Sequence, residues 1–87
     1  MMTVLFHGSV KDHTSDVKSL EIENIQSVCA LIDFLGGQFG GEFKEFLLGD
    51  KTCFFLVNGG GIMRTGGLDT PLGSGDTVEV LPFVDGG

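Results

Sequence analysis

Hydrophobic and polar residues alternate near the start of the chain in a pattern that predicts two strands. Apolar residues occupy alternate positions in Met1–Phe6 and, less regularly, in Val17–Ile22. The polar, turn-rich segment His7–Asp16 lies between them and is expected to form a loop or the wide end of a hairpin. This part of the sequence therefore predicts two strands joined by a long connection.

One main helix is predicted after the second strand. Ser27 is a favourable N-cap, because its hydroxyl can accept a hydrogen bond from a free backbone N–H group in the first turn. The apolar residues that follow recur at helical spacing and form one stripe: Val28, Leu31, Ile32, Leu35 and Phe39. Gly36-Gly37 and Gly40-Gly41 are expected to fray this helix or end it early. A shorter helical segment is predicted over Glu42–Leu48, with Phe43, Phe46 and Leu47 directed inward.

The second half of the chain predicts further strands. The almost continuous apolar run Thr52–Val57 is typical of a central strand. Asn58–Gly61 is expected to turn into a short strand at Ile62-Met63, and Thr77–Val84 alternates as the last strand. Two strands, a helix and more strands within 87 residues predict a single α+β domain, residues 1–87. The expected fold is a β-grasp, with a mixed sheet of four to five strands and one main helix packed on one face.

The charge balance narrows the range of possible partners. The sequence has 12 acidic and five basic residues, for a net charge of −7, and Arg64 is its only basic residue after Lys51. Phosphate binding needs clustered Lys and Arg, so nucleic acid is not expected as a partner. A basic cleft on another protein fits better, although acidic residues also simply keep a protein soluble.

The sequence carries no sign of a membrane or export segment. No apolar run approaches the ~20 residues that a membrane-spanning helix requires. The first residues, "MMTVLFHGSV", include neither a basic n-region nor a cleavage site. We therefore expect a soluble, cytoplasmic protein that does not bind membranes.

Side chains that could take part in catalysis or metal binding do not combine into a recognisable site. Cys29 and Cys53 are too far apart for a redox pair or a zinc site, and we expect both to be reduced, buried and inert. His7 and His13 are expected at the surface, with no metal bound. The glycine-rich segment Gly59–Gly67 lacks the lysine of a phosphate-binding loop and is expected to form turns. An iron–sulfur ferredoxin would need four cysteines. The chain is therefore expected to hold no cofactor and to catalyse nothing alone.

The last seven residues, "LPFVDGG", are the remaining candidate site. Gly86 and Gly87 have no side chains, so this segment could enter a narrow channel as a thin extended thread. A frayed terminus or an artificial tail is the alternative interpretation. The glycines follow directly on an apolar segment without a spacer, which favours the functional interpretation.

The C-terminal third resembles a known family. The stretch "VNGGGI…LDTPLGSGDTVEVLPFVDGG" is similar to the small sulfur carriers of the ubiquitin-like β-grasp type (MoaD/ThiS-like), and most of all to the small subunit of molybdopterin synthase. Ser27-Val28 at the helix start also suits this family. The resemblance implies that an E1-like enzyme uses ATP to adenylate the Gly87 carboxylate. A sulfur donor protein then converts it to a thiocarboxylate, which the large subunit of molybdopterin synthase accepts.

The resemblance also implies a role for each residue at the end of the chain. Gly87 is the reacting residue, and Gly86 and Asp85 thread into the partner. The residues expected to dock at the mouth of the channel are Leu81, Pro82, Phe83 and Val84. Phe83 stands where the molybdopterin synthase subunits often have a second proline, and Asp85 stands where a small residue is common.

Related functions stay open at this point. Carriers for thiamine or cysteine synthesis share the pattern, and tungsten cofactor assembly would use the same chemistry as molybdenum. A ubiquitin-like modifier, joined through Gly87 to lysines of other proteins, would need the same adenylation step. A plain interaction domain would not need the two glycines at all.

Overall fold

The computed structural model describes residues 1–49 and 53–83. These residues form five strands and two α-helices: β1 (Met2–Phe6), β2 (Ser19–Ile22), α1 (Val28–Phe39), α2 (Gly41–Leu48), β3 (Cys53–Val57), β4 (Gly60–Gly61) and β5 (Thr77–Pro82). Short 3₁₀ segments cover Gly8–His13, Ile62–Arg64 and Gly67–Asp69. Within the described residues, no helix has the length and hydropathy needed to cross a bilayer.

The five strands form one mixed sheet in the order β2-β1-β5-β3-β4. β1 and β5 are parallel, and every other neighbouring pair is antiparallel. The α+β, β-grasp prediction is confirmed. Thr52–Val57 is predicted as a central strand, and Thr52 lies outside the described residues. β3 is an inner strand with β5 and β4 on either side, although β5 lies in the middle of the sheet. A continuous apolar run suggests that both faces of a strand are buried. One face of β3 is nevertheless open, and Phe54 on that face is 43% exposed.

The core lies between α1 and one face of the sheet. The stripe predicted from helical spacing supplies Val28, Leu31, Ile32 and Leu35, all at most 1% exposed. They pack in one cluster with side chains of β1 and β5: Val4, Phe6, Val78 and Val80. Ser27 caps the helix as predicted, because its Oγ accepts a hydrogen bond of 3.1 Å from the Ala30 N–H. Helix α1 is thus fixed against the strand that leads to the end of the chain.

Of the two glycine pairs expected to fray or end α1, only the second acts as predicted. Gly36-Gly37 neither frays nor ends the helix, which continues to Phe39. A Cβ at Gly36 would lie 2.9 Å from the Lys44 Cβ, so the missing side chain allows α2 to pack closely on α1. Gly40 does end the helix, in a backbone conformation with φ of +114° that disfavours side chains.

The connection from β1 to β2 is anchored to the core. Val10 and Thr14 are fully buried, and the Thr14 hydroxyl donates to the Val17 carbonyl at 2.8 Å. The His13 ring stacks on Phe43 and Phe46, with ring centres 5.4 and 4.5 Å apart. The loop predicted from its polar composition therefore contains a 3₁₀ segment packed against α2.

One short strand lies two residues before its predicted place. Gly60–Gly61 forms β4, whereas Ile62 and Met63 belong to a 3₁₀ segment instead of a strand. Ile62 is 9% exposed and joins the core, while Met63 is 90% exposed. The apolar pair "IM" therefore reflects one core residue and one surface residue, which a 3₁₀ turn separates.

Candidate functional site

The end of β5 is where the structure places the predicted docking residues that it describes. Leu81 and Pro82 are the last residues of β5, and Phe83 follows with 51% of its surface exposed. On one side, Leu81 and Pro82 pair with Phe54 and Cys53 of β3. Val84, Asp85, Gly86 and Gly87 lie outside the described residues. The segment that precedes them therefore leaves from the central strand of the sheet.

A turn on the other side of β5 also holds this segment. The His7 N–H donates to the Val80 carbonyl at 3.0 Å. Gly8 follows with a φ of +56°, and a Cβ at this position would lie 3.0 Å from Cγ of Pro82. A side chain at Gly8 would therefore press on the proline ring. Close packing on both sides gives Leu81 and Pro82 a fixed position. We call these two residues the root of the C-terminal segment.

The sheet face opposite α1 has an open, mostly apolar centre. We call it the outer face and define it by Leu5, Phe54, Leu56, Glu79 and Leu81. Side chains alternate along a strand, so Val78 and Val80 point to the core while Glu79 and Leu81 point to this face. Three registers bring its members side by side: Leu5 with Glu79, Glu79 with Leu56, and Leu81 with Phe54. The outer face runs directly up to Phe83.

Glu79 is the one carboxylate among the five defining residues of the outer face. Its Oε1 lies 2.9 Å from Nε2 of His7, and the side chains are 28% and 42% exposed, respectively. His7 therefore lies at the surface, as predicted, but is partly buried and paired with a carboxylate that the sequence did not indicate. Because 72 residues separate the two, the pairing depends on the parallel register of β1 and β5.

A groove extends the apolar surface beyond the edge of the outer face. Leu48, Phe54, Met63 and Leu68 line it and are between 42% and 90% exposed. It lies between the end of α2, β3 and the 3₁₀ segments that follow β4. Apolar patches of this kind on a small domain are typical of protein contacts.

Two motifs of the family pattern meet in a hydrogen-bonded turn. Asn58, in the sequence "VNG", donates from Nδ2 to Oδ1 of Asp76 at 3.0 Å and accepts from the Thr77 N–H at 2.9 Å. The Gly73 N–H donates to Oδ2 of Asp76 at 2.8 Å. The Asn58 amide and the Gly73 N–H hold the pKa of Asp76 below its ordinary value. Asn58 and Asp76 thus fix the start of β5, a role that the sequence analysis missed although both motifs were visible.

The cysteines and histidines do not assemble into a site. Cys29 is exposed on α1, which corrects the prediction that it is buried, because it points away from the core stripe. Cys53 is half-buried, with its Sγ 3.8 Å from the Leu47 carbonyl, and the two cysteines do not form a disulfide with each other. Among residues 1–49 and 53–83, no group of three or more potential metal ligands comes together.

The fold defines a class: a ubiquitin-like β-grasp domain. The ThiS family model matches residues 4–87. The chain therefore belongs to the ThiS family, whose relatives are ubiquitin-like sulfur carriers that work with partner enzymes. No curated protein matches the sequence.

Solved structures of similar proteins cover almost the whole chain. CysO from Mycobacterium tuberculosis is 26% identical, with a TM-score of 0.83 over 97% of this chain and 100% of that one. A chain of the BexX/CysO complex from Amycolatopsis orientalis is 28% identical, with a TM-score of 0.82 and full coverage of both chains. The putative molybdopterin converting factor subunit 1 from Pyrococcus furiosus is 25% identical, with a TM-score of 0.73 over 95% of this chain and 97% of that one.

Proposed function

We propose that this protein carries sulfur as a thiocarboxylate on Gly87 and donates it in molybdopterin synthesis, for a molybdenum or tungsten cofactor. In this proposal it is the small subunit of a molybdopterin synthase. The observation that supports it best is the position of Leu81–Phe83. The central strand of a ThiS-family domain ends in an apolar segment, exposed at Phe83, directly before the residues that lead to Gly86-Gly87.

The chemistry requires an activated carboxylate, because a free carboxylate is a poor electrophile. An E1-like enzyme would bind ATP, and an oxygen of the Gly87 carboxylate would attack the α-phosphorus and release pyrophosphate. A hydrosulfide equivalent from a sulfur donor protein would then attack the carbonyl carbon, and AMP would leave. The product is a thiocarboxylate, a soft nucleophile that the large subunit can use. ATP belongs to the activating enzyme, and the carrier itself holds no cofactor.

The C-terminal glycines and the apolar segment before them would have separate roles in recognition. Gly86 and Gly87 present no side chain to a narrow channel, so the reacting carbon can reach an enclosed active site. Asp85 would thread in behind Gly86 and lie where the channel opens, so that its carboxylate meets water or a cation. Leu81, Pro82, Phe83 and Val84 would dock on the partner, with Phe83 as the aromatic anchor. The rigid packing of Pro82 against Gly8 supports this role, since a fixed root loses little freedom on docking.

The pathway has a second candidate. The CysO chains exceed the Pyrococcus furiosus subunit in identity and in TM-score. This difference favours a carrier for another sulfur-transfer pathway, such as thiamine or cysteine synthesis. Both candidates share the Gly87 thiocarboxylate, so they differ only in the enzyme that accepts the sulfur. Cys29 and Cys53 do not form a disulfide, which suits a reducing compartment, and we place the function in the cytoplasm.

Mass spectrometry of the C-terminal peptide tests the proposal. The protein would be incubated with an E1-like enzyme, ATP and a sulfur source, and then cleaved with trypsin. Cleavage after Arg64 releases Thr65–Gly87, which contains no Met or Cys whose oxidation could mimic the gain of sulfur. A mass gain equal to the difference between sulfur and oxygen at the last residue supports the carrier.

The alternative modifier would give a different result in a host lysate. A ubiquitin-like modifier forms an isopeptide bond between Gly87 and a lysine, so it appears as heavier covalent adducts. A carrier stays free, with sulfur on its last residue. In the sulfur-loading assay, an unmodified peptide from a protein that binds the activating enzyme would contradict the carrier and favour the modifier or a plain interaction domain.

A further inference from the structure

Glu79 occupies an unusual place for a carboxylate. Leu5 lies directly opposite it on β1 and Leu56 directly opposite it on β3, while Leu81 follows two residues later on the same face. A partner that covers the outer face would therefore remove Glu79 from water together with its apolar neighbours. An ionised carboxylate without a compensating charge is costly to bury.

His7 forms a hydrogen bond with only one of the two oxygens of the Glu79 carboxylate. It pairs with Oε1, and among the described residues no hydrogen bond reaches Oε2. The strands also offer no cation on this face. Residues of the described strands that point to it, as the registers show, are Thr3, Leu5, Ser19, Glu21, Phe54, Leu56, Gly61, Thr77, Glu79 and Leu81. None of them is Lys or Arg, and the chain as a whole has a net charge of −7.

We propose that Glu79 selects the partner: the protein surface that covers the outer face carries an arginine or lysine whose N–H donates to Oε2 of Glu79. Apolar side chains of the partner cover Leu56 and Leu81 around this contact. A partner that lacks the cation must bury Glu79 with only His7 to balance it, and is rejected on that ground. This inference rests on the proposed function, because it assumes that a tail-accepting enzyme binds beside the end of β5.

A charge-neutral variant gives opposite results with and without the partner cation. In Glu79→Gln, the amide keeps the shape of the side chain and can still hydrogen-bond to His7. If a cation meets Glu79, the variant binds more weakly, by about tenfold or more, as for the loss of one member of a desolvated charge pair. If no cation is present, the variant binds more tightly, because an uncompensated charge no longer has to be buried.

Binding of the full-length chain to the E1-like adenylating enzyme of the same organism provides the experiment. Kd would be measured by titration calorimetry at low and high salt for the unmodified chain, Glu79→Gln and the control Glu21→Gln. Glu21 points to the same sheet face, on the edge strand β2 and opposite Thr3, so its change removes the same charge away from the apolar area. Circular dichroism would verify that each variant is folded.

The inference predicts weaker binding and a shallower salt dependence for Glu79→Gln, with Glu21→Gln close to the unmodified chain. Unchanged or tighter binding of Glu79→Gln overturns it. An equal loss of affinity in Glu21→Gln also overturns it, because binding would then depend only on the net negative charge of the chain. An unaltered salt dependence also overturns it. A second assay distinguishes failure of the proposed function from failure of the Glu79 inference. It measures adenylation of the unmodified chain through the pyrophosphate released. Its absence refutes the proposed function and this inference together, whereas its presence with unchanged Glu79→Gln binding refutes the inference alone.

Discussion

Two adjacent glycines of α1 provide a direct test of how the helices pack. Alanine normally stabilises a helix relative to glycine by about 1 kcal/mol. At Gly37 nothing lies within 4 Å of an added Cβ, so Gly37→Ala should raise the free energy of unfolding by about that amount. At Gly36 the added Cβ would lie 2.9, 3.2 and 3.4 Å from three carbons of the Lys44 side chain.

The Gly36 contact cannot be relieved by moving a flexible side-chain end. The nearest atom is the Lys44 Cβ, which is fixed to the backbone of α2, so α2 itself must shift. Overpacking of this kind costs about 1–3 kcal/mol. Gly36→Ala should therefore be about 1–3 kcal/mol less stable than Gly37→Ala, although both gain the same helix propensity.

Urea unfolding followed by circular dichroism measures this difference, and thermal unfolding provides a second readout. For a domain of this size, each kcal/mol corresponds to roughly 4–8 °C in Tm. Gly37→Ala serves as the matched control, because it adds the same methyl group to the same helix one residue later. Equal stability of the two variants would refute the packing argument and leave Gly36 without a structural role.

Three further predictions concern Gly87, Phe83 and the turn before β5. Gly87→Ala should fold normally but lose most sulfur loading, because a methyl group obstructs a channel shaped for glycine; full loading in a reconstituted assay would contradict this. Phe83→Asp should weaken binding to the large synthase subunit by about 2 kcal/mol or more, as for an interface anchor, and an unchanged Kd would refute that role. The pKa of Asp76 is lowered from 3.8 in the folded state, so its contribution to stability is present above that pH and is lost as the pH falls below it. Unfolding at several acidic pH values should therefore show a smaller loss of stability in Asp76→Asn than in the unmodified chain; identical pH profiles would contradict the assigned hydrogen bonds.

The elements were predictable where one local pattern sets burial. Ser27 and the stripe from Val28 to Leu35 define α1, and alternation around Val78 and Val80 defines β5, since each pattern reflects contact with a single core. The pattern of Thr52–Val57 shows only that both faces of the strand are apolar. It does not show whether the second face is covered by this chain or left open, and for this reason the open face of β3 was not predicted.

Long-range contacts account for what the sequence did not show. The behaviour of Gly36 depends on Lys44 of another helix, and the His7–Glu79 pair depends on a register between strands from opposite ends of the chain. The docking residues Leu81, Pro82 and Phe83 were found from a motif and a resemblance. The carboxylate at the centre of the outer face became visible only once β1, β5 and β3 were side by side.

The central position of β5 has a consequence for how the protein is made. Without Thr77–Pro82, the described strands would be divided into a β1–β2 pair and a β3–β4 pair, and a two-stranded unit is marginally stable at best in water. The sheet can therefore close only after synthesis has passed residue 82, and its slowest contacts join the two ends of the described chain. A ribosome that stops early releases a product that does not fold and is open to proteolysis. Folding thus requires synthesis through β5, so every folded copy contains the strand that precedes the C-terminal segment.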